Sequence, residues 1–178
     1  MGNGTFHMTG GAIQDCHATD GGGVYASGGS IENCTAHEGA GVKVYASSGE
    51  TASFSMNGSG EIKNCNTDGV SISAIGNGTP KFTMDGGTIE DNSGYGVWVA
   101  AGSAEMSRGS VKGSERYDIY IGRSAALTVN NTQVGGTVMN WGGNHRSGKR
   151  QVYRYGRNCG NRKNHRMQDP QNRASLPL

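Results

Sequence analysis

The sequence predicts an all-β fold: a right-handed parallel β-helix (a β-solenoid) of about six short coils, followed by a disordered or irregular basic tail. Three observations carry that expectation. Apolar residues two apart recur along residues 5–140, the period of a strand with one face buried. Glycine, at 32 residues, punctuates this pattern without a strict three-residue period, which excludes collagen. Leu occurs only at Leu127, Leu176 and Leu178, so the common filler of helical cores is missing.

The repeat is read most easily from Ile13, which follows Gly10-Gly11-Ala12. Equivalent anchors are Ile31, Ile62, Ile89, Val111 and Val134, separated by 18, 31, 27, 22 and 23 residues. Met8, Met84, Met106 and Val129 each stand five before an anchor, and Met56 stands six before, across one inserted residue. Two residues earlier come Phe6, Phe54, Phe82, Ala104 and Leu127. Three after the anchors come Cys16, Cys34, Cys65, Asn92 and Ser114. A glycine-flanked strand then carries Val24, Val42, Val70, Val97 and Ile119. The 18-residue step reads as a coil that dispenses with the Phe-x-Met strand. These spacings are too short for strands alternating with full helices. One coil cannot bury its inward side chains alone, but stacked coils share a continuous core.

Charge divides the chain. Residues 1–140 carry 7 Lys/Arg against 13 Asp/Glu, a balance of −6; residues 141–178 carry 9 against 1, a balance of +8. That change of sign predicts a boundary, with a solenoid over 1–140 and a basic, low-structure tail over 141–178. Three readings compete for the tail: a nonspecific binder of phosphate backbones, a solvated end, or an out-of-frame translation. In the third, Gly142-Gly143-Asn144-His145-Arg146-Ser147-Gly148, read one base later, can give Ile-Thr-Gly and a Thr/Glu-rich continuation. No run reaches the length of apolar residues a membrane span needs, and no signal peptide is visible at Met1-Gly2-Asn3-Gly4.

Two stretches bring the repeat close to a known group. Phe82-Thr83-Met84-Asp85-Gly86-Gly87-Thr88-Ile89-Glu90-Asp91-Asn92 and Gly21-Gly22-Gly23-Val24-Tyr25 resemble the pectin-lyase-like, right-handed β-helix repeats of bacterial cell-surface proteins, of adhesin or stalk type. The resemblance covers roughly residues 5–140. It implies a noncatalytic structural or adhesive segment of a longer exported protein, extracellular or at the cell surface. Glycans and host or cell-surface components are the partners it implies. The alternative is a carbohydrate-active enzyme of the same fold, a polysaccharide lyase or hydrolase, because one solenoid hosts enzymes and passive spacers alike.

The enzyme alternative rests on Asp68, with Asp85 or Asp91 as partner. Asn66-Thr67-Asp68-Gly69-Val70 resembles a motif of the polygalacturonases, whose Asp acts in hydrolysis. Glycoside hydrolysis needs two carboxyls held on one face. The family's further Asp-Asp pair, Gly-His-Gly and Arg-x-Lys have no counterpart here, and Asn and Asp before Gly are ordinary turn chemistry. Asp15 and Asp91 fall on the outer face with Asn33 and Asn64, while Glu32 and Glu90 follow an inward Ile; these acids read as a solvated surface. Arg108, Lys112, Arg116 and Arg123 form no cluster with them by sequence.

Cys16, Cys34 and Cys65 share one register and form no Cys-x-x-Cys pair, which reads as core rather than metal ligation. In-register stacking fits a disulfide poorly. His7, His17, His37, His145 and His165 occupy different registers and assemble no ligand set. Neither metal nor cofactor is expected. Tyr25, Tyr45, Tyr95, Trp98, Tyr117 and Tyr120 gather around the Val-x-Val strand, where aromatic rings serve either as ordinary strand residues or as a surface for sugar rings. No capping segment is evident before Phe6 or after Val138, so self-association through open β-helix ends is a further expectation. Nucleic acid is expected only nonspecifically, through the tail.

Overall fold

A computed structural model describes residues 41–147 throughout and, beyond them, 7–8, 12–14, 17–18, 25–26, 30–32, 34–36 and 154–155. Phe6, Asp15, Cys16, Val24, Asn33, His37 and His165 lie outside the described residues, as does the tail's basic run apart from Arg146 and the backbone of Arg154. The strands are β1 (His7–Met8), β2 (Ala12–Gln14), β3 (His17–Ala18), β4 (Tyr25–Ala26), β5 (Ser30–Glu32), β6 (Thr35–Ala36), β7 (Val42–Ala46) and β8 (Thr51–Lys63). They continue with β9 (Val70–Ala74), β10 (Thr79–Glu90), β11 (Tyr95–Lys112), β12 (Tyr117–Val129), β13 (Gln133–Val134), β14 (Thr137–Asn140), β15 (Asn144–Ser147) and β16 (Arg154–Tyr155). No helix occurs among the described residues.

Every strand pairing is parallel, and the partners are coils rather than neighbours in sequence. Three faces result. The first stacks β7, β9, the start of β11, the start of β12 and β14, with Val42, Val70, Val97, Ile119 and Val138 in one ladder. The second stacks Phe54, Phe82, Ala104 and Leu127, with Met56, Met84, Met106 and Val129 two residues on. The third joins Ile13, Ile31, Ile62, Ile89, Val111 and Val134. From the first of these ladders to the last, the members whose burial is described, apart from Ile13 and Val134, are buried and form one core. Alternation explains why: each inward residue lies two from the next, so three faces close around a shared interior.

One irregularity falls where the spacing says it must: the pairing of β10 with β8 shifts between Gly86 and Thr88, which absorbs the extra residue before Ile62. A second shift, beside Met84 in the pairing of β10 with β11, is not marked by the spacing and sets Asp85 opposite Arg108. Pairing also runs on past residue 140: β15 lies on β12 with His145 opposite Leu127, and β16 lies on β14.

One assignment from the sequence is overturned. Tyr25 and Ala26 pair with Ser55 and Met56, and on their other side with His7 and Met8. The segment after Gly21-Gly22-Gly23 therefore occupies the Phe-x-Met face, not the Val-x-Val face with Val42. Ala26 stands five residues before Ile31, the spacing of Met84 from Ile89, and in-register stacking of the third face enforces it. The 18-residue step keeps the Phe-x-Met strand. Among the described residues the Val-x-Val face begins at β7.

Outward residues are matched as carefully as inward ones. Lys63 stands opposite Glu90, and Glu90 opposite Lys112, so charge alternates up one column of the third face. Lys63 also binds Glu61 at 2.8 Å, and Lys112 binds Glu90 at 3.0 Å. A parallel in-register sheet puts every side chain beside its counterpart, so like charges there would repel at every rung.

Candidate functional site

The three carboxylates named from the sequence take three different positions on the coil. Asp68 ends the turn before β9 and is buried. Its Oδ1 accepts the N–H of Tyr95 from the next coil at 3.0 Å. The carboxylate therefore ties one turn to the one above it. Asp85 lies on the second face and is half-buried. Arg108 donates to both of its oxygens at 2.6 Å, and Ser107 Oγ donates at 2.8 Å. The Arg108 guanidinium first, and the Ser107 hydroxyl second, hold the Asp85 carboxyl down at about 2. Asp91 sits at the corner after the third face with φ of 54°, and Asn64, one coil below, has φ of 55°. Asn and Asp enter this left-handed region more readily than other side chains, so the position selects them for the turn. The next coil uses Gly113 there, with φ of 71°.

Two of the late basic residues, which form no cluster with acids by sequence, find single acid partners by stacking. Lys112 meets Glu90 and Arg108 meets Asp85, because in-register stacking across 22 and 23 residues brings them together. Only the shift beside Met84 places Arg108 opposite Asp85; simple counting from Met106 would set Ser107 there.

The corner that follows each anchor is a polar ladder with a buried inner edge. Cys34, Cys65 and Asn92 are buried. Asn66 N–H donates to Cys34 O at 3.1 Å, Ser93 N–H to Cys65 O at 2.9 Å and Glu115 N–H to Asn92 O at 3.0 Å. The Asn92 side chain also accepts the Cys65 N–H at 3.1 Å. Burial, outweighing a backbone hydrogen bond from the adjoining Cys34, pushes the Cys65 thiol up to about 11. Such a thiol is inert core rather than nucleophile. Among the described residues no group of three or more His, Cys, Asp or Glu side chains converges as metal ligands. His145 extends the Phe/Leu ladder, and burial lowers its pKa.

Aromatic residues cluster on the outside of the first face. Trp98 and Tyr120 are in register, as are Tyr95 and Tyr117. Tyr95 and Tyr117 stack at 6.1 Å, with Trp98 at 6.0 Å and Tyr120 at 5.2 Å from Tyr95. The Arg116 guanidinium lies 5.7 Å over the Tyr95 ring, and Arg123 lies 6.0 Å over Trp141. Sequence reasoning missed both pairings, of Arg116 with Tyr95 and of Arg123 with Trp141. Trp141 falls just beyond the repeat, yet it stands three after Val138 on the same face. Tyr25 and Tyr45 do not belong to the cluster. Tyr25 pairs on the second face, and Tyr45 stands apart with the Lys43 ammonium 5.9 Å from its ring.

Parallel coils, three faces and apolar ladders agree with the comparison to family models, in which residues 1–109 match the model described as right handed beta helix region. The chain belongs to the right-handed β-helix family. At the level of fold it is a pectin-lyase-like β-helix protein. No curated protein and no solved structure gives a significant match.

Proposed function

We propose that this β-helix is a noncatalytic structural or adhesive segment of a bacterial surface or extracellular protein. In this reading it is part of a longer exported chain, and it touches glycans or other cell-surface components through its aromatic face. The observation that carries the reading is the employment of the candidate carboxylates: Asp68 holds a backbone N–H of the next coil, Asp85 is clamped by Arg108, and Asp91 shapes a left-handed corner. Each has a task in stacking or turning, and a retaining or inverting pair needs two carboxyls free to face one sugar ring. The Tyr95, Trp98, Tyr117 and Tyr120 cluster supplies the kind of half-exposed aromatic surface on which sugar rings pack.

The second reading, a polysaccharide lyase or hydrolase acting through Asp68 with Asp85 or Asp91, keeps its support from the Asn66-Thr67-Asp68-Gly69 motif. One experiment separates the two. The chain is incubated with polygalacturonate and a panel of other glycans, and both retention and depolymerisation are measured. The adhesive reading expects retention without new reducing or unsaturated ends, weakened in Trp98→Ala. Cleavage that disappears in Asp68→Asn would establish the enzyme instead, and neither retention nor cleavage would leave the chain a spacer.

A further inference from the structure

Stacking supplies the cations of β8, β10 and β11 with acid neighbours. Lys63 meets Glu61, Lys81 meets Glu105, Arg108 meets Asp85 and Lys112 meets Glu90, at 2.6 to 3.0 Å. Arg116 and Arg123, at the two ends of the first face, have no carboxylate partner among the described residues. Each guanidinium lies over a ring instead, Tyr95 for one and Trp141 for the other.

The whole first face shares this imbalance. Its strands are β7, β9, β14 and residues 95–100 and 117–122 of β11 and β12, and their one acid, Asp118, is buried. Glu115, the acid next to Arg116 in sequence, belongs to the corner before the face. Residues 1–140 carry a balance of −6, yet this side of the solenoid turns outward with positive sign. A local reversal of sign attracts anions to the face that carries it.

The rings lie between the two charges. Along β12 the order is Arg116, Tyr117, Tyr120, Arg123, and the arginines are seven residues apart, roughly 20 Å of strand. Tyr95 and Trp98 repeat the pattern one coil below, in register with Tyr117 and Tyr120. Trp141 ends the row one coil above, where its N–H donates to Ile121 O at 2.8 Å. These rings are half-buried and both arginines are exposed. The backbone beneath is fixed, since Tyr95 N–H donates to Asp68 and Arg116 N–H to Gly94 O. Rings and cations held in place this way lose little freedom when a ligand settles on them.

A sugar ring packs its apolar face on an aromatic ring, and a guanidinium held over a ring keeps edge N–H donors for a carboxylate or sulfate. A neutral glycan would use the rings and leave both charges unmatched. A single sugar would reach one arginine and not the other. We propose that the outer first face is a track for an acidic polysaccharide. Its sugar rings lie on Tyr95, Trp98, Tyr117 and Tyr120, and its anionic groups pair with Arg116 and Arg123. The proposal rests on the glycan-touching reading above and names the class of glycan that this face selects.

The test is binding of the whole chain to alginate and hyaluronate, each beside its methyl ester, which keeps the sugar rings and removes the charge, and to dextran sulfate beside dextran. Affinities are measured for wild type, Arg116→Gln, Arg123→Gln, the double variant, Trp98→Ala and Lys81→Gln, whose ammonium pairs on the second face. The track predicts that an acidic form binds more tightly than its neutral counterpart, and the carboxylated and sulfated arms show which anion is preferred. Each arginine substitution should weaken that binding about fivefold. The double variant should lose most of the preference for the acidic form, while Lys81→Gln matches wild type and every arginine variant melts with it. Equal binding of acidic and neutral forms, lost in Trp98→Ala, would overturn the charge selection and leave the adhesive reading standing. Binding to no glycan would overturn both. A preference for acidic forms that the double variant keeps belongs to cations elsewhere in the chain, and it overturns the proposal. Single-stranded DNA bound more tightly than any acidic glycan, and lost in the same variants, would make the face a nucleic-acid surface instead.

Discussion

Replacing Phe82 with Ala measures how far the coils share one core. The Phe82 ring is fully buried and stacks on Phe54 with centroids 5.5 Å apart and planes 9° from parallel. The rung above it is Ala104. Truncation would leave two small residues in succession, hence a void continuous with space that Phe82 now fills. The backbone cannot sink into that void, because β10 is hydrogen-bonded in register to β8 below and β11 above. Phe→Ala in such a core costs about 3–5 kcal/mol, and poor relaxation favours the upper half of that range. With an m-value of about 2 kcal/mol per molar in urea, the midpoint should fall by about 2 M. Equilibrium urea unfolding, followed by far-ultraviolet circular dichroism, reads this directly. Ile75→Ala is the control: Ile75 is 62 % exposed, and its loss should move the midpoint by no more than about 0.25 M. A fall of less than about 0.5 M for Phe82→Ala, with m unchanged, would refute a continuous ladder core.

Two further outcomes follow from the ladders. Lys63→Glu places a carboxylate opposite Glu90 and beside Glu61. It should cost about 1 kcal/mol in melting experiments at low salt and markedly less at high salt, since these groups are partly exposed; equal losses at both would mean packing, not charge, is at work. Cys65, with its thiol pushed up to about 11 in a buried corner, should resist iodoacetamide at neutral pH. Peptide mapping should find it unmodified in the folded chain and alkylated in urea, and rapid labelling without denaturant would contradict its placement.

The fold was legible because stacking makes sequence period and spatial neighbour the same thing. Phe54 and Phe82, Met56 and Met84, and Ile62 and Ile89 recur in sequence and meet in space for one reason: a coil one turn on presents the same side chain to the same interior. The candidate site was much less legible. Asp68 looks like catalytic equipment in a five-residue window, and only the coil above shows its oxygen accepting the Tyr95 N–H. Asp85 and Arg108 form a bidentate pair because of a register shift, which no count of residues contains. The sequence does not place Tyr25, because a Gly-Val-Tyr stretch fits either face locally. The pairing of Ala26 with Met56 decides between them.

The sequence by itself determined the class of fold, the inward ladders and the residues at their rungs, since hydrophobic period two and glycine-marked corners permit little else. Tertiary structure alone decided what the polar residues do. Their partners lie 22 to 28 residues away on adjacent coils, at positions set by turn lengths and bulges rather than by the repeat.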